Sequence, residues 1–343
     1  MYVSAKKMKT EKVYERRQST QIISIICALF NSNGGKLNID FEGVISPHDT
    51  DNIVRQIEQR LMDITELSVF ATKVRMLKIN AKQLVFSIDS LQALCTVNYN
   101  LYFPTEMQIH PFSPQEPPES IKAFLNREID NHNQFENYED FIIHRQLPFQ
   151  ESNSIQFRHF KSESLKQKSV ADQITNKSNK LESYISAFAN KNGGCMFYGI
   201  TYDGVVRGQV IESQDKIARK VTKAIHKMIW SRGELERGRH WDIQFAPVKD
   251  ESQNEIPFLF VVFISVVPLR GGLFTSEPES YHVVQSEVER MPYTEWRRRF
   301  FADEQSSAAM NKVPSVVGGL NSVGGYETTQ SIGKLKFIIL LKI

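Results

Sequence analysis

Positively charged side chains at helical spacing are the first chemistry-bearing feature of this sequence. Lys216, Arg219, Lys220, Lys223 and Lys227 recur on the outer side of an amphipathic stretch whose apolar positions are Ile217, Val221, Ala224, Ile225 and Met228. Arg158, Lys161, Lys166, Lys168, Lys177 and Lys180 crowd a second segment, and Arg297, Arg298 and Arg299 follow Trp296. Cations grouped in this way suit contacts to the phosphates of a nucleic acid, and they equally suit the solvated side of an ordinary helix. Other chemistries find little support. The sequence holds no GxxxxGK[ST] loop, no HExxH pair and no nucleophile elbow. Cys27, Cys95 and Cys195 stand far apart, which gives no disulfide framework and fits a reducing compartment.

Bulk properties set the frame. The chain has 343 residues, is 41% hydrophobic and carries a net charge of +3, from 42 Lys and Arg against 39 Asp and Glu. That length supports a sizeable core and predicts two domains or lobes, while so small a net charge means that any cationic surface must come from local clustering. Residues 1–17 are charged and lack an apolar h-region, so no signal peptide is expected. The longest apolar run, residues 258–267, falls far short of the ~20 residues of a membrane helix and reads as a buried strand. The apolar residues 337–341 read either as a strand or as the stump of a longer segment.

The elements that must position these side chains repeat. Cys27-Ala28-Leu29-Phe30-Asn31-Ser32-Asn33-Gly34-Gly35 aligns without gaps with Ser186-Ala187-Phe188-Ala189-Asn190-Lys191-Asn192-Gly193-Gly194. In each copy a helical apolar face leads in, formed by Ile22, Ile25, Ile26 and Leu29 or by Leu181, Ile185 and Phe188, and an apolar run follows, residues 37–41 or 195–200. The Gly pair stops the helix and permits a sharp turn into a strand. The chain therefore reads as two related helix-to-strand units. Further helices are expected at residues 51–64, capped by Asp49, Thr50 or Asp51, at 119–128 and at 215–230. Strands are expected at 84–88, 97–103, 241–248 and 257–267. Residues 131–150 read as a polar and aromatic bridge, and 303–332, rich in Ser, Gly, Asn and Ala, as disordered.

Four stretches resemble the Schlafen family, in the family's order and spanning residues 21–296. The segment from Ile26 to Gly35 resembles its ICALLNSGGG stretch, and Ser183-Tyr184-Ile185-Ser186-Ala187-Phe188-Ala189-Asn190-Lys191-Asn192-Gly193-Gly194 resembles YVSAFANTQGG of the AlbA-like half. Leu147-Pro148-Phe149-Gln150-Glu151-Ser152-Asn153-Ser154-Ile155-Gln156-Phe157-Arg158 is similar to LNLPESTHVEFK, and Val288-Glu289-Arg290-Met291 with Thr294-Glu295-Trp296 to VTRLTAEQW. The resemblance implies an α/β (α+β) fold of two related lobes in a horseshoe. Its expected division is an N-terminal lobe at 1–115, a bridge at 116–150, an AlbA-like lobe at 151–302 and a low-complexity tail at 303–343.

The resemblance also implies a function: metal-dependent cleavage of tRNA, rRNA or small-RNA precursors, in some relatives only as a subunit of a heteromeric endonuclease for piRNA precursors. Mg²⁺ or Mn²⁺ chemistry needs two or three converging carboxylates. Glu151 matches the first family acid. Gln156 stands where the second belongs and brings no charge. Tyr202 occupies the third acid's place, with Asp203 one residue late. Glu151, Gln156 and Asp203 are thus the implied catalytic set, Glu151 and Asp203 the implied metal ligands. Arg158, at the family's Lys, leads the expected RNA-binding residues, with Lys161, Lys216, Lys220 and Lys223. His226 and His240 occur without a neighbouring Cys, so the family's structural zinc is not expected. The expectation is an RNA-binding subunit of an endoribonuclease with a degenerate site, paired with a related Schlafen-like chain and cytoplasmic, with membrane attachment open if the apolar end continues. The alternative is a non-catalytic regulator that sequesters RNA or scaffolds a protein.

Overall fold

A computed structural model describes residues 1–44, 46–65, 67–80, 82–105, 108–128, 138, 140–160 and 168–302. The expected disorder at 303–332 and the apolar residues 337–341 lie outside the described residues.

The first unit runs β1 (Tyr2–Val3), α1 (Ala5–Thr10), α2 (Lys12–Phe30), β2 (Gly35–Phe41), α3 (Pro47–Met62), α4 (Leu67–Lys73), β3 (Val74–Asn80) and β4 (Gln83–Ile88). Its sheet has the order β1-β2-β4-β3, and α2 lays Ile22, Ile23, Ile26, Cys27 and Phe30 on the core with Leu37, Ile39, Leu84 and Phe86. Then come a hairpin, β5 (Tyr102–Pro104) and β6 (Ile109–Pro111), and α5 (Pro118–Asn126).

The second unit runs β7 (Phe141–Ile142), β8 (Ile155–Arg158), α6 (Val170–Ile174), α7 (Leu181–Ala189), β9 (Gly194–Tyr198), β10 (Gln209–Val210), α8 (Gln214–Ile225), β11 (Ile229–Trp230), β12 (Trp241–Lys249), β13 (Glu255–Val266) and β14 (Leu273–Phe274). A hairpin of β15 (Tyr281–Val284) and β16 (Glu287–Arg290) and the helix α9 (Tyr293–Phe300) close it. Its main sheet has the order β7-β12-β13-β9-β8, with β10 joined to β13.

The repeat read from the Asn and Gly residues extends through the hydrogen bonding of both units. Each corner glycine has a left-handed backbone, φ 72° at Gly34 and φ 80° at Gly193, and a Cβ there would lie 2.6 Å from the Ile88 carbonyl or 2.7 Å from that of Val266. The next strand pairs in the same register, Gly35 opposite Ile88 and Gly194 opposite Val266, and the third strand follows, Val74 opposite Ile88 and Trp241 opposite Val266. The first strand is parallel in both, Tyr2 opposite Asp40 and Ile155 opposite Cys195. Leu91 N–H donates to the Phe30 carbonyl at 2.8 Å, as Leu269 N–H does to Ala189 at 2.7 Å. The closing hairpins match as well, Tyr102 opposite Pro111 and Tyr281 opposite Arg290.

Those hairpins change sides. β5 and β6 pack on α7 of the second unit, while β15 and β16 pack on α2 of the first. Between them Tyr99, Leu101, Phe112, Ile121, Leu125, Phe274, Met291, Trp296 and Phe300 bury one another in a small joint core. The buried indole of Trp296 donates to Thr96 Oγ1 at 2.9 Å, which leaves no polar atom of the ring stranded in that core.

Several element boundaries differ from the sequence reading for physical reasons. The helix expected at 51–64 begins at Pro47 and is capped by Ser46, whose hydroxyl accepts from Asp49 N–H at 3.3 Å. Proline suits the first helical position, where its missing N–H costs nothing. The helix expected at 215–230 begins at Gln214 behind the cap Ser213 and stops at Ile225, because Ile229 and Trp230 pair with β14 instead. The expected strand over 97–103 is a bridged run at Asn98 and Leu101 that becomes regular only at Tyr102. Residues 129–137 and 139 of the expected bridge lie outside the described residues. The rest of it is no polar spacer: Phe141 and Ile142 add a parallel strand beside β12, and Tyr138, Leu147 and Phe149 pack on the sheet. Among the described residues, no helix is long and apolar enough to cross a membrane.

Candidate functional site

Two of the residues implied for catalysis, Glu151 and Gln156, stand at β8, the edge strand of the second sheet. Cys195 N–H donates to the Ser154 carbonyl and Gly199 N–H to that of Arg158, both at 2.7 Å. Strand alternation then turns the N–H and C=O of Phe157 away from β9, towards the open edge. Glu151 covers that edge: its Oε1 accepts from Phe157 N–H at 2.8 Å. Arg158 covers the rest. Its Nη1 donates to the Phe157 carbonyl at 2.7 Å and lies 3.5 Å from Glu151 Oε1, and its Nη2 donates to the Tyr184 hydroxyl at 2.7 Å. The guanidinium stands 5.1 Å from the centre of the Tyr184 ring, so α7 holds it in place. A carboxylate and a guanidinium thereby close a strand edge that would otherwise invite pairing with another chain.

Gln156 and Arg158 share one face of β8, and Phe157 points to the other, into a cluster with Phe149 and Phe197. The Gln156 side chain is buried, and its Nε2 donates to the Ser152 carbonyl at 3.1 Å. Asp203 lies in the turn after β9, exposed, in a loop closed by the Gly204 N–H to Thr201 bond. The Thr201 hydroxyl holds its carboxyl below the usual carboxylate range, with a smaller contribution from the charge of Arg207. Its neighbour Tyr202, 85% exposed, points to solvent. Partial burial, and then the charge of Arg207, lower the pKa of His159.

These donors do not fit a divalent cation. Glu151 already serves a backbone N–H and faces a guanidinium, Gln156 adds no charge, and Asp203 is engaged within its own turn. Among the described residues, no group of three or more His, Cys, Asp and Glu side chains converges as a metal would require.

The expected RNA-contacting cations fall into different environments. Lys161 and Lys166 lie outside the described residues. Lys168, Lys177 and Lys180 are exposed. Lys220 forms an ion pair with Asp172 of α6. That pair, the Ser169 hydroxyl and the charges of Lys220 and Lys216 all depress the Asp172 carboxyl. Lys223 stands on another side of α8, in an open groove with Arg219, Lys227 and Arg237. Arg298 and Arg299 clasp Glu295 at 2.7 Å and pull its pKa down to about 2, and Arg299 also donates to the Asn31 carbonyl, so these two belong to the joint between the units.

The sequence aligns Asn31 and Asn190 at equivalent corners, and the structure adds what their side chains hold. Asn190 is fully buried; its Nδ2 donates to the carbonyls of Leu273 and Tyr102, and its Oδ1 accepts from Leu273 N–H. Asn31 does the same with the carbonyls of Cys95 and Tyr281 and with Cys95 N–H. Each amide ties a segment of its own unit to a strand of the other. The identical offset of the two Asn residues was the available signal.

Residues 151–291 match the family model described as Schlafen, AlbA_2. The match begins at Glu151, takes in β8, the Asn190 corner, α8 and the sheet, and ends at Met291 in the joint core. Over these residues the second unit is similar to the Schlafen AlbA_2 domain.

Proposed function

We propose that this chain binds RNA and does not hydrolyse it unaided. A nucleic-acid-related role accompanies the AlbA_2 domain. The observation that carries the rest is the engagement of Glu151: the acid that matches the family's first position serves the edge of β8 and faces Arg158. A hydrolytic centre needs carboxylates free to gather a metal and a water, and this locus supplies one bound carboxylate and an amide.

A second reading has its own support. Glu151 stands beside a cation that could face a phosphate, and Asp203 and Arg207 lie in the turn that follows the adjacent strand. A related Schlafen-like chain that donates acids to this edge would make the pair a metal-dependent endoribonuclease for tRNA or small-RNA precursors of the piRNA type.

The test is a cleavage assay with Mn²⁺ on labelled tRNA and single-stranded RNA, run beside binding titrations over a range of salt. The purified chain is expected to bind with strong salt dependence and to leave the RNA intact, and Glu151→Ala to change neither result. Cleavage by the wild type that Glu151→Ala abolishes would overturn the first reading. Cleavage that needs a partner chain and is lost with Glu151→Ala would establish the second. No binding at low salt would end both.

A further inference from the structure

The groove along α8 has no part in the Glu151 locus. It is open, about 980 Å³ in volume, and lined by Asp215, Arg219, Lys223, His226, Lys227 and Arg237, with Ala218 and Thr222 between them. Asp215, Arg219 and Lys223 follow one another at intervals of four residues, which places them in a single row along α8 with steps of ~6 Å, and Lys227 stands in the turn just past its end. Arg237 also lines it. Its Nε donates to Asp242 at 2.8 Å and its Nη2 to the Ile243 carbonyl at 3.0 Å, so β12 holds it rigidly.

The two rows of cations on α8 differ in kind. Lys220 is neutralised by Asp172, and Lys216 lies close to the same carboxylate. Among the described residues, Arg219, Lys223 and Lys227 have no carboxylate partner within ion-pairing distance. A solvated helix face usually intersperses both signs along a row. Here Arg219, Lys223 and Lys227 line the groove beyond Asp215 with no further acid among its lining residues, and Arg237, itself paired with Asp242, completes the lining. Moreover, Arg237 is tied to β12, which stands three strands from β8 in the sheet, roughly 14 Å at the usual strand spacing.

We propose that this groove is a docking track for the sugar–phosphate backbone of an RNA strand, separate from the Glu151 edge, with Arg219, Lys223 and Lys227 each answering one phosphate and Arg237 completing the lining. The proposal rests on the RNA-binding reading above and names the surface that does the binding. Contacts are to phosphate, so recognition here is independent of base sequence.

The experiment uses the full chain and a fluorescein-labelled oligouridylate in Mg²⁺-free buffer, with anisotropy read across a series of salt concentrations. Each phosphate neutralised on a single strand contributes a slope of about −0.7 in log K against log salt. The triple variant Arg219→Ala/Lys223→Ala/Lys227→Ala should therefore flatten the slope by about 2 and weaken binding about a hundredfold at 0.1 M salt. The control Lys216→Ala/Lys220→Ala removes two cations from the paired row of the same helix and should shift the affinity by less than about threefold. Thermal unfolding of both variants checks that the exposed substitutions leave the fold intact. Wild-type binding that both variants weaken alike would overturn the groove and assign the affinity to overall charge. Wild-type binding that the triple variant leaves unchanged would overturn it too, with the RNA-binding reading intact. An absence of wild-type binding would remove that reading itself.

Discussion

Asn190→Ala is the substitution that most directly probes how the two units are joined. The side chain is fully buried: its two N–H groups are shared among the Leu273 carbonyl at 3.0 Å, the Tyr102 carbonyl at 3.1 Å and Ser186 Oγ at 3.1 Å, and its Oδ1 accepts from Leu273 N–H at 2.7 Å. The Leu273 carbonyl keeps a donor in the Ser186 hydroxyl. The Leu273 N–H loses its acceptor, and the Tyr102 carbonyl loses its amide donor. A stranded buried group costs roughly 1–3 kcal/mol, and the vacated amide leaves a void as well, so the loss should be about 3–4 kcal/mol. In urea, with a slope near ~3 kcal/mol/M for a chain of this size, the midpoint falls by about 1 M with the slope unchanged. Fluorescence of the buried Trp241 and Trp296 reports the transition. Asn31→Ala removes the equivalent contacts to Cys95 and Tyr281 and should cost a similar amount. A loss below about 0.5 kcal/mol at either position would refute the claim that these amides fasten the joint.

The remaining predictions concern the corners and the helix that closes the chain's described part. Gly193→Ala, at φ 80° with its Cβ 2.7 Å from the Val266 carbonyl, should cost about 2 kcal/mol or more, and Gly34→Ala, facing the Ile88 carbonyl, about the same, both read as urea midpoints. Alanine at Gly43, also left-handed but with open space around its Cβ, should cost less, which separates steric conflict from backbone preference. Glu295 has its pKa lowered to about 2 by hydrogen bonds from Arg298 and then Arg299, against an ordinary value of 4.5. Its contribution to stability is therefore complete above about pH 4.5 and is lost as the pH falls through about 2. Glu295→Gln should flatten the acid limb of the unfolding curve; an unchanged limb would show that the clasp has no part in stability.

Much of the scaffold is legible in the sequence because it depends on neighbours along the chain. The apolar spacing of Ile22, Ile26, Leu181, Ile185 and Phe188 specifies two buried helix faces, and the Asn-x-Asn-Gly-Gly corners specify where the chain must turn left-handed. The matching offset of the corners already implied duplication, and the strand pairings extend it to four strands of each sheet and the closing hairpins. Boundaries failed where a distant partner intervened, as at Ile229 and Trp230, which leave the helical pattern to pair with Leu273 and Phe274. The Schlafen resemblance marked Glu151 as a candidate acid, and only the folded edge of β8 engages it with Phe157 and Arg158. Helical spacing grouped Lys216, Lys220 and Lys223, and only the packing of α6 beside α8 pairs one of them with Asp172 and leaves another in the groove. The physical reason is common to these cases. Periodicity and turn chemistry act over a few residues and are written locally, whereas the state of a charged side chain depends on which distant segment the fold brings within a few ångströms of it.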